Sequence, residues 1–229
     1  MLPTWTKEQE AVREGCALAI GVDEVGRGPL VGPVVAAAAV AKDPALYDTP
    51  CEELYARGKR WRLVRDSKKL SEKQRAAARA LIDEHFTVAL GLCDNATIDR
   101  INILEAALLA MKKAVQSLPQ ELRTQQMLLL IDGDRELPAY SGRQRAVPGG
   151  DATVMSIAAA SIVAKVARDE MMVALAAQYP QYGFQKHKGY GTHEHLEALR
   201  RYGPTPLHRA SFKPVRKILR DLRTYGADV

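Results

Sequence analysis

Four carboxylates, placed where predicted strands or helices begin or end, are the residues best suited to chemistry. Asp23 and Glu24 follow the apolar run 17–20, which is long enough for a buried strand. Asp132 ends a second uninterrupted apolar run, and Asp151 immediately precedes a long helical pattern. Because open α/β sheets form their ligand sites at such ends, we expect these side chains to converge. Successive strand residues point to opposite faces, so neighbouring Asp23 and Glu24 each need carboxylates from elsewhere to complete a site.

Carboxylates gathered in this way imply a metal site. Four like charges within a few ångströms cannot all stay ionised without a cation, and ligands that are all oxygen favour Mg²⁺ or Mn²⁺ over Zn²⁺. Two such ions can activate a water and stabilise the leaving oxygen of a phosphodiester, with no Ser, Cys or His nucleophile. The sequence has no evident Ser-His-Asp order, and residues 26–32 lack the Lys-Ser/Thr of a phosphate-binding P-loop. The acids therefore favour metal-dependent phosphodiester hydrolysis.

Two further segments have residue types that suit a nucleic-acid ligand. Gly26 and Gly28 flank Arg27, which leaves a backbone open to close approach. Residues 183–191 read GFQKHKGYG, in which Tyr190 is an aromatic side chain set between glycines and lysines. A zinc site built from the histidines in and after this segment is disfavoured, because no cysteine lies nearby.

Basic residues cluster in two places before the third predicted strand. Lys68 and Lys69 stand just before a predicted helix N-terminus, where backbone N–H groups already favour anions. The segment 57–65 surrounds Trp61 with cations, namely Arg57, Lys59, Arg60, Arg62 and Arg65. Such a cluster either binds phosphates and stacks a base or is a solvated loop, and the sequence leaves both open.

Composition limits the class of protein. The 229 residues are 47% hydrophobic and 26% charged, as in a soluble globular protein of one or two domains. A net charge of +6 and a pI near 9.2 favour a polyanionic partner, nucleic acid first. Three scattered cysteines without a C-x-x-C motif favour reduced thiols in the cytoplasm. The apolar run around 36–39 is too short for a membrane span, and the charged N-terminal residues argue against a secretory signal.

The spacing of apolar residues predicts the elements that position these side chains. Strands are expected over 17–20, 34–40, 86–92, 127–131 and 146–147, with the first two antiparallel. Helices are expected over 7–14, 71–84, 98–118, 153–178 and 193–202, the first two with capping boxes. Trp5 is expected to fasten the first helix to the body. Asp169 lies on the apolar stripe of the long helix, about 27 Å from Asp151, and is expected in a structural ion pair.

Six motifs in one order resemble those of the bacterial ribonuclease HII family. They lie between about residues 17 and 216 and read GVDEVGRGPLVGPVVAAA, DSKKLS, LLLIDG, GDATVMSIAAASIVAKVARD, KGYGTHEHLEAL and GPTPLHRASFKPV. The resemblance implies an RNase H-like α/β fold, with a central five-stranded mixed sheet, helices on both faces and a small C-terminal helical part. We accordingly expect a catalytic domain over 1–180, and a helical part over 181–229 that packs on it and contributes substrate contacts.

The resemblance also implies an activity. It is that of an endonuclease that cuts the RNA strand of RNA/DNA hybrids and cuts 5′ to a single ribonucleotide in duplex DNA. The products would carry 5′-phosphate and 3′-hydroxyl ends, and the cofactors would be two Mn²⁺ or Mg²⁺ ions. We expect a cytoplasmic monomer that acts on these duplexes. No sliding-clamp motif is evident after the last of the six motifs, which ends at residue 215.

Matched by position, the motifs assign residues. The metal-binding carboxylates of the family correspond to Asp23, Glu24, Asp132 and Asp151. The loop that reads the ribose 2′-OH through backbone groups corresponds to Gly26, Arg27 and Gly28, and the aromatic that stacks at the junction sugar corresponds to Tyr190. The phosphate-contacting segment corresponds to Ser67, Lys68 and Lys69.

Two departures from the family and two alternatives remain. The segment 43–65 is longer and more basic than the resemblance leads us to expect, and Asp134 stands where a neutral residue is common. The same acids would also serve a resolvase or an integrase-type nuclease, although the two glycine-rich segments argue against these. A module that binds hybrids without cutting them is the second alternative.

Overall fold

Five apolar segments form one mixed sheet in the part of the chain that the computed structural model describes, residues 2–58, 60–123 and 125–225. The strands are Leu18–Val25 (β1), Val34–Ala41 (β2), Phe86–Cys93 (β3), Met127–Asp132 (β4) and Arg143–Val147 (β5). Their order across the sheet is β3-β2-β1-β4-β5. β1 pairs antiparallel with β2 and parallel with β4, while β2–β3 is antiparallel and β4–β5 parallel. The predicted five-stranded mixed sheet is confirmed.

Helices cover both faces of this sheet. They are Thr6–Arg13 (α1), Cys51–Arg57 (α2), Glu72–His85 (α3), Asn95–Ile101 (α4), Ile103–Gln116 (α5), Gln120–Arg123 (α6), Gly150–Thr153 (α7), Met155–Gln178 (α8), Phe184–His187 (α9), His193–Tyr202 (α10) and Lys213–Tyr225 (α11). α8 and α3 contribute to the core on one face, and α5 fills the other. None of the helices in the described ranges combines the length and apolar character that a bilayer span requires.

One helix predicted over 98–118 is two helices in the structure. Asn102 separates α4 from α5 with a φ of +71°, a conformation in which an α-helix cannot continue. Its side-chain oxygen accepts the backbone N–H groups of Leu104 and Glu105 at 2.9 and 3.1 Å. The prediction of a single helix was wrong because the apolar stripe continues across a residue that caps a new helix.

Of the two predicted capping boxes, one forms. Ser71 and Gln74 exchange side-chain and backbone hydrogen bonds at the start of α3. At the start of α1 the box prediction was wrong, because Gln9 instead donates to the backbone carbonyl of Tyr47 at 2.7 Å. Trp5 is buried against Tyr47, with ring centroids 5.2 Å apart, and so fastens α1 to the core as expected.

Small residues let α8 lie unusually close to the sheet. A Cβ atom on Gly21 of β1 would stand 2.1 Å from the backbone carbon of Ser156 in α8. Ala37 and Ala39 of β2 and the alanines at 158–160 of α8 are all fully buried in the core on this side of the sheet. Because no larger side chain separates the two backbones, the position of α8 over β1 is closely fixed.

The C-terminal helices share a separate apolar cluster with the loop that follows β1. Leu30 and Val31 of that loop pack with Phe184, Leu199 and other buried side chains of residues beyond 181. Met172 of α8 belongs to the same cluster. The loop after β1 therefore lies between the sheet and the C-terminal helices. The division into a catalytic domain over 1–180 and a C-terminal part over 181–229 that contributes substrate contacts remains a prediction.

We predict that Gly21→Ala destabilises the fold by on the order of 3 kcal/mol, because the added methyl group meets backbone atoms that cannot rotate away. Chemical denaturation of the purified variant measures this loss. Gly58→Ala is the matched control, since a Cβ there meets no atom within 4 Å and the residue has an extended φ of −169°. Equal free energies of unfolding for the two variants would contradict the close contact.

Candidate active site

Three carboxylates meet where β1 and β4 run side by side. Asp23 lies near the end of β1, Asp132 is the last residue of β4, and Asp151 lies in α7. Each offers an oxygen within 4.8 Å of those of the other two. The backbone N–H of Asp151 also donates to Oδ1 of Asp132 at 3.3 Å. Asp151 was expected at or just outside the N-terminus of the long helix, and it lies in a separate short helix just before α8.

Glu24 lies outside this group of three. It follows Asp23 on the strand and faces the α5 side of the sheet, where it lines a cavity of about 70 Å³ with Asp132, Asp134 and Arg27. Its Oε1 is 3.5 Å from Nη1 of Arg27. Asp23 and Glu24 therefore point to opposite faces of β1, as expected. Asp132 lines the cavity with Glu24 and also belongs to the group of three.

Burial and mutual repulsion disfavour the simultaneous ionisation of Asp23, Glu24 and Asp132. Burial, and then repulsion from Glu24 and Asp132, raises the pKa of Asp23 well above its ordinary value. Burial also raises the pKa of Asp132, with repulsion from Asp151 as the next cause. The pKa of Glu24 is raised by burial despite the attraction of Arg27. Buried oxygen ligands that repel one another fit a divalent cation such as Mg²⁺ or Mn²⁺.

One hydroxyl group, that of Ser161 on α8, supports Asp23, and a second hydroxyl lies behind it. The Ser161 side chain and the backbone N–H of Glu24 both oppose the rise in the pKa of Asp23, and the latter donates to Oδ1 of Asp23 at 2.7 Å. The Ser161 hydroxyl lies 3.0 Å from the hydroxyl of Ser67. Ser67 is buried, so its hydroxyl faces the core and not the solvent. The structure therefore places the side chain of Ser67 behind Asp23, and a phosphate contact at this residue remains a prediction.

Lys68 and Lys69 extend from the turn 67–69 beside the acids. Nζ of Lys68 is 3.4 Å from Oδ2 of Asp151, whereas Nζ of Lys69 is 3.7 Å from Oδ2 of Asp66. Both side chains are largely exposed. Partial burial lowers the pKa of Lys68, but attraction to Asp151 and Asp23 outweighs it and the pKa is raised. Lys68 thus flanks the carboxylates, and Lys69 is a second accessible cation on the same turn.

The glycine-rich loop and the aromatic side chain predicted from sequence are in contact. A Cβ atom on Gly28 would stand 3.3 Å from Cε1 of Tyr190. Gly26 has a φ of +95°, which disfavours any other residue there. Arg27 is exposed, and Tyr190 is 42% exposed. The structure therefore brings residues 26–28 and Tyr190 together on one accessible surface.

Trp61 does not face this surface. It is 7% exposed and packs against His85, with ring centroids 5.0 Å apart. Among its neighbours, Arg60 pairs with Glu84 at 3.0 Å, and Lys59 lies outside the described residues. The possibility that Trp61 stacks a base was wrong, because its ring is part of the core.

Asp169 pairs with Lys165 at 2.6 Å and Arg75 at 3.4 Å, in the structural role expected.

Sequence reasoning missed a buried histidine relay behind Tyr190. Nδ1 of His195 is 2.9 Å from the backbone carbonyl of Tyr190, so this nitrogen must carry the proton. Nδ1 of His208 accepts the backbone N–H of Thr205 at 2.9 Å. His208 must then donate from Nε2 to Nε2 of His195, 3.1 Å away. The amphipathic pattern of α10, which puts His195 on its apolar face, was the available signal.

Comparison with solved structures identifies the class of protein. Ribonuclease H2 from Pyrococcus horikoshii superposes with a TM-score of 0.68 at 27% identity, covering 90% of this chain and 99% of that one. A ribonuclease HIII solved in complex with Mn²⁺ gives a TM-score of 0.66 at 22% identity, covering 93% and 73%. The sheet and its flanking helices are therefore those of the RNase H-like nucleases.

Sequence comparison narrows the class to one family. The Ribonuclease HII family model matches residues 20–215. The ribonuclease HII of Parvibaculum lavamentivorans is 48% identical over 212 residues, which cover 93% of this chain and 72% of that protein. The chain belongs to the ribonuclease HII family. It is a ribonuclease H, an endonuclease that acts on RNA/DNA hybrids.

The histidine relay predicts a pH-dependent stability. Burial first, with repulsion from His195 next for His208, lowers the pKa of each relay histidine to about 4. Because the folded pKa lies below the ordinary value of about 6.5, stability is complete above that pH and falls towards pH 4. Each histidine adds up to about 1.4 kcal/mol per pH unit to the slope. Urea unfolding across this range measures it.

Matched variants separate the relay from other titrating groups. His208→Gln should flatten the dependence of the free energy of unfolding on pH. His193→Gln should not, because His193 is exposed on α10 beside Glu197. Identical slopes for the two variants would show that the relay does not carry the effect.

Proposed function

We propose that this ribonuclease cuts 5′ to a single ribonucleotide embedded in duplex DNA, as well as along the RNA strand of hybrids. The products would carry 5′-phosphate and 3′-hydroxyl ends. The observation that supports this is the position of the acids Asp23, Asp132 and Asp151 next to a loop, at 26–28, that touches Tyr190. A cutting site and a surface suited to a sugar are thus neighbours.

The acids would hold two divalent ions in the reacting complex. Asp23, Asp132 and Asp151 offer grouped oxygens, and Glu24 reaches the neighbourhood from the other face of β1. Bound there, Mg²⁺ or Mn²⁺ would supply the positive charge that activates a water and stabilises the leaving oxygen. The Mn²⁺ held by the ribonuclease HIII relative supports this class of ion, with no preference between the two metals.

The exposed cations around the acids would hold the scissile strand. Lys68 lies beside Asp151 and Lys69 lies on the same turn, and both would bind phosphates, while Arg27 extends from the glycine loop. These residues would orient the strand without contacting a base, as a nuclease with little sequence preference requires.

The ribose 2′-OH would be read by the surface that Gly26, Gly28 and Tyr190 form. This hydroxyl is the only group that separates an embedded ribonucleotide from its neighbours. A backbone without side chains can approach it, and an exposed aromatic ring provides a platform for the sugar. Because Tyr190 belongs to the part of the chain after residue 181, that part would contribute to substrate recognition.

We propose that the chain acts as a monomer.

The cleavage assay uses three duplexes: an RNA/DNA hybrid, DNA with one ribonucleotide, and an all-DNA branched junction. We expect Mg²⁺- or Mn²⁺-dependent cutting of the first two, with the nick 5′ to the ribonucleotide. Asp132→Asn should lower the rate about a thousandfold while binding stays measurable. Asp83→Asn, on the exposed Arg79 pair of α3, is the control. Cutting of the junction alone would point to a resolvase, and binding without cutting would refute catalysis.

Tyr190→Ala should lower cleavage at a single ribonucleotide about tenfold more than cleavage of a long hybrid. The reason is that one sugar contact carries all the recognition in the first substrate and only a part of it in the second. Steady-state rates on the two substrates give the ratio. Tyr202→Ala removes another exposed tyrosine, on α10, and should leave the ratio unchanged. Equal losses on both substrates would indicate that Tyr190 is structural.

A further inference from the structure

Two arginines are buried beneath the loop at 26–28 and form no ion pair with the carboxylates that the structure describes. Arg168 and Arg209 are both 0% exposed. Within the described ranges, neither guanidinium has an acidic oxygen within the 4.0 Å of an ion pair. Burial, with repulsion from Arg168 as the next cause, lowers the pKa of Arg209 to about 9. A buried charge without an ion pair is costly and must be stabilised by other hydrogen bonds.

Backbone carbonyls provide those hydrogen bonds. Arg209 donates from Nη2 to the carbonyl of Gly26 at 2.7 Å and from Nη1 to that of Arg27 at 3.1 Å. Its Nε donates to the carbonyl of Gly32 at 3.0 Å. The planar guanidinium thus grips two successive peptide groups of the loop and a third beyond it.

This grip sets the direction of two N–H groups. The peptide bonds are trans, so the carbonyl and the N–H of each peptide plane point in opposite directions. With the carbonyls of Gly26 and Arg27 turned towards Arg209, the N–H groups of Arg27 and Gly28 point away from it. Neither N–H donates a hydrogen bond to any residue that the structure describes. Two adjacent donors are therefore left for a ligand.

Arg168 supports the loop from α8. It donates to the carbonyls of Val31, Pro33 and Lys188, at 3.2, 3.1 and 3.0 Å. A Cβ atom on Gly26 would stand 2.3 Å from its Nε. Arg168 therefore joins the loop after β1 to the segment that carries Tyr190, while Arg209 alone grips the peptides at 26–28.

We propose that Arg209 is a positioning residue for ribonucleotide recognition, which holds the N–H groups of Arg27 and Gly28 towards the 2′-OH of the substrate. This inference rests on the proposed function, in which residues 26–28 read that hydroxyl. Lysine would keep the charge but cannot place two coplanar donors on adjacent carbonyls. Arg209 touches no substrate atom and acts through the backbone of the loop.

The experiment compares binding of two duplexes of one sequence, with and without a single ribonucleotide, in an Asp132→Asn background with Mg²⁺. Arg209→Lys should lower the preference for the ribonucleotide duplex about tenfold, which corresponds to roughly one lost hydrogen bond. Its affinity for the all-DNA duplex should stay within about twofold, because the phosphate contacts are untouched. Arg145→Lys, in the surface pairs with Glu10 and Glu14, is the control and should keep the preference of the parent protein.

Each result has one meaning. If the parent protein and the Arg145→Lys control both show no preference, the proposed reading of the 2′-OH fails, and with it the premise of this inference. If the parent discriminates and Arg209→Lys discriminates equally well, the positioning role is overturned while the proposed function stands. A loss of affinity for both duplexes in equal measure would also overturn it, since a merely structural arginine acts in that way.

A measurement on the protein with Arg209 intact covers the case in which Arg209→Lys does not fold. The amides of Arg27 and Gly28 should exchange their hydrogens freely in the unbound Asp132→Asn protein. They should be protected at least about tenfold more by the ribonucleotide duplex than by the all-DNA duplex. Equal protection by the two duplexes would overturn the proposal, as would protection of these amides in the unbound protein.

Discussion

The backbone contact between Gly21 of β1 and Ser156 of α8 fixes the geometry on which the whole site depends. With no side chain between them, the helix is held at one height and one rotation over the sheet. Ser161 then stands at Asp23, and Arg168, seven residues further on, stands under the loop after β1. Met172 follows on the same face and packs near Gly32 and Gly189. One stripe of α8 therefore aligns the acids, the glycine loop and the segment of Tyr190.

The sequence was informative about the fold wherever residue pattern and backbone agreed. The strands, the box at Ser71 and the helix over 193–202 all followed from local periodicity and turn residues. It failed at Asn102, because a φ above zero in a residue other than glycine leaves the hydrophobic stripe unchanged. It failed again at Trp61, because a tryptophan among arginines looks accessible until the packing of His85 against it is known.

The candidate site was likewise predictable from the sequence in some parts and not in others. Carboxylates at strand ends and glycines around Arg27 are visible as residue types, so three grouped acids and the accessible surface were predictable. The buried supports were not, since an arginine whose partners are backbone carbonyls has no signature in the spacing of side chains. Ser67 shows the converse: it lies in a motif whose neighbours are exposed, yet its hydroxyl faces Ser161.

The turn at 205–209 places two supports next to each other in the chain. His208 reaches the backbone of Tyr190 through His195, and Arg209 holds the peptides of the glycine loop. The loop at 26–28 and the segment of Tyr190, the two halves of the accessible surface, are thus both fastened to a single short segment that is distant in sequence from the loop. Such an arrangement makes the surface a cooperative unit, in which local unfolding of one turn would release both halves at once. On the proposed reading of the 2′-OH, discrimination of the ribonucleotide would then be lost as a whole and not by degrees.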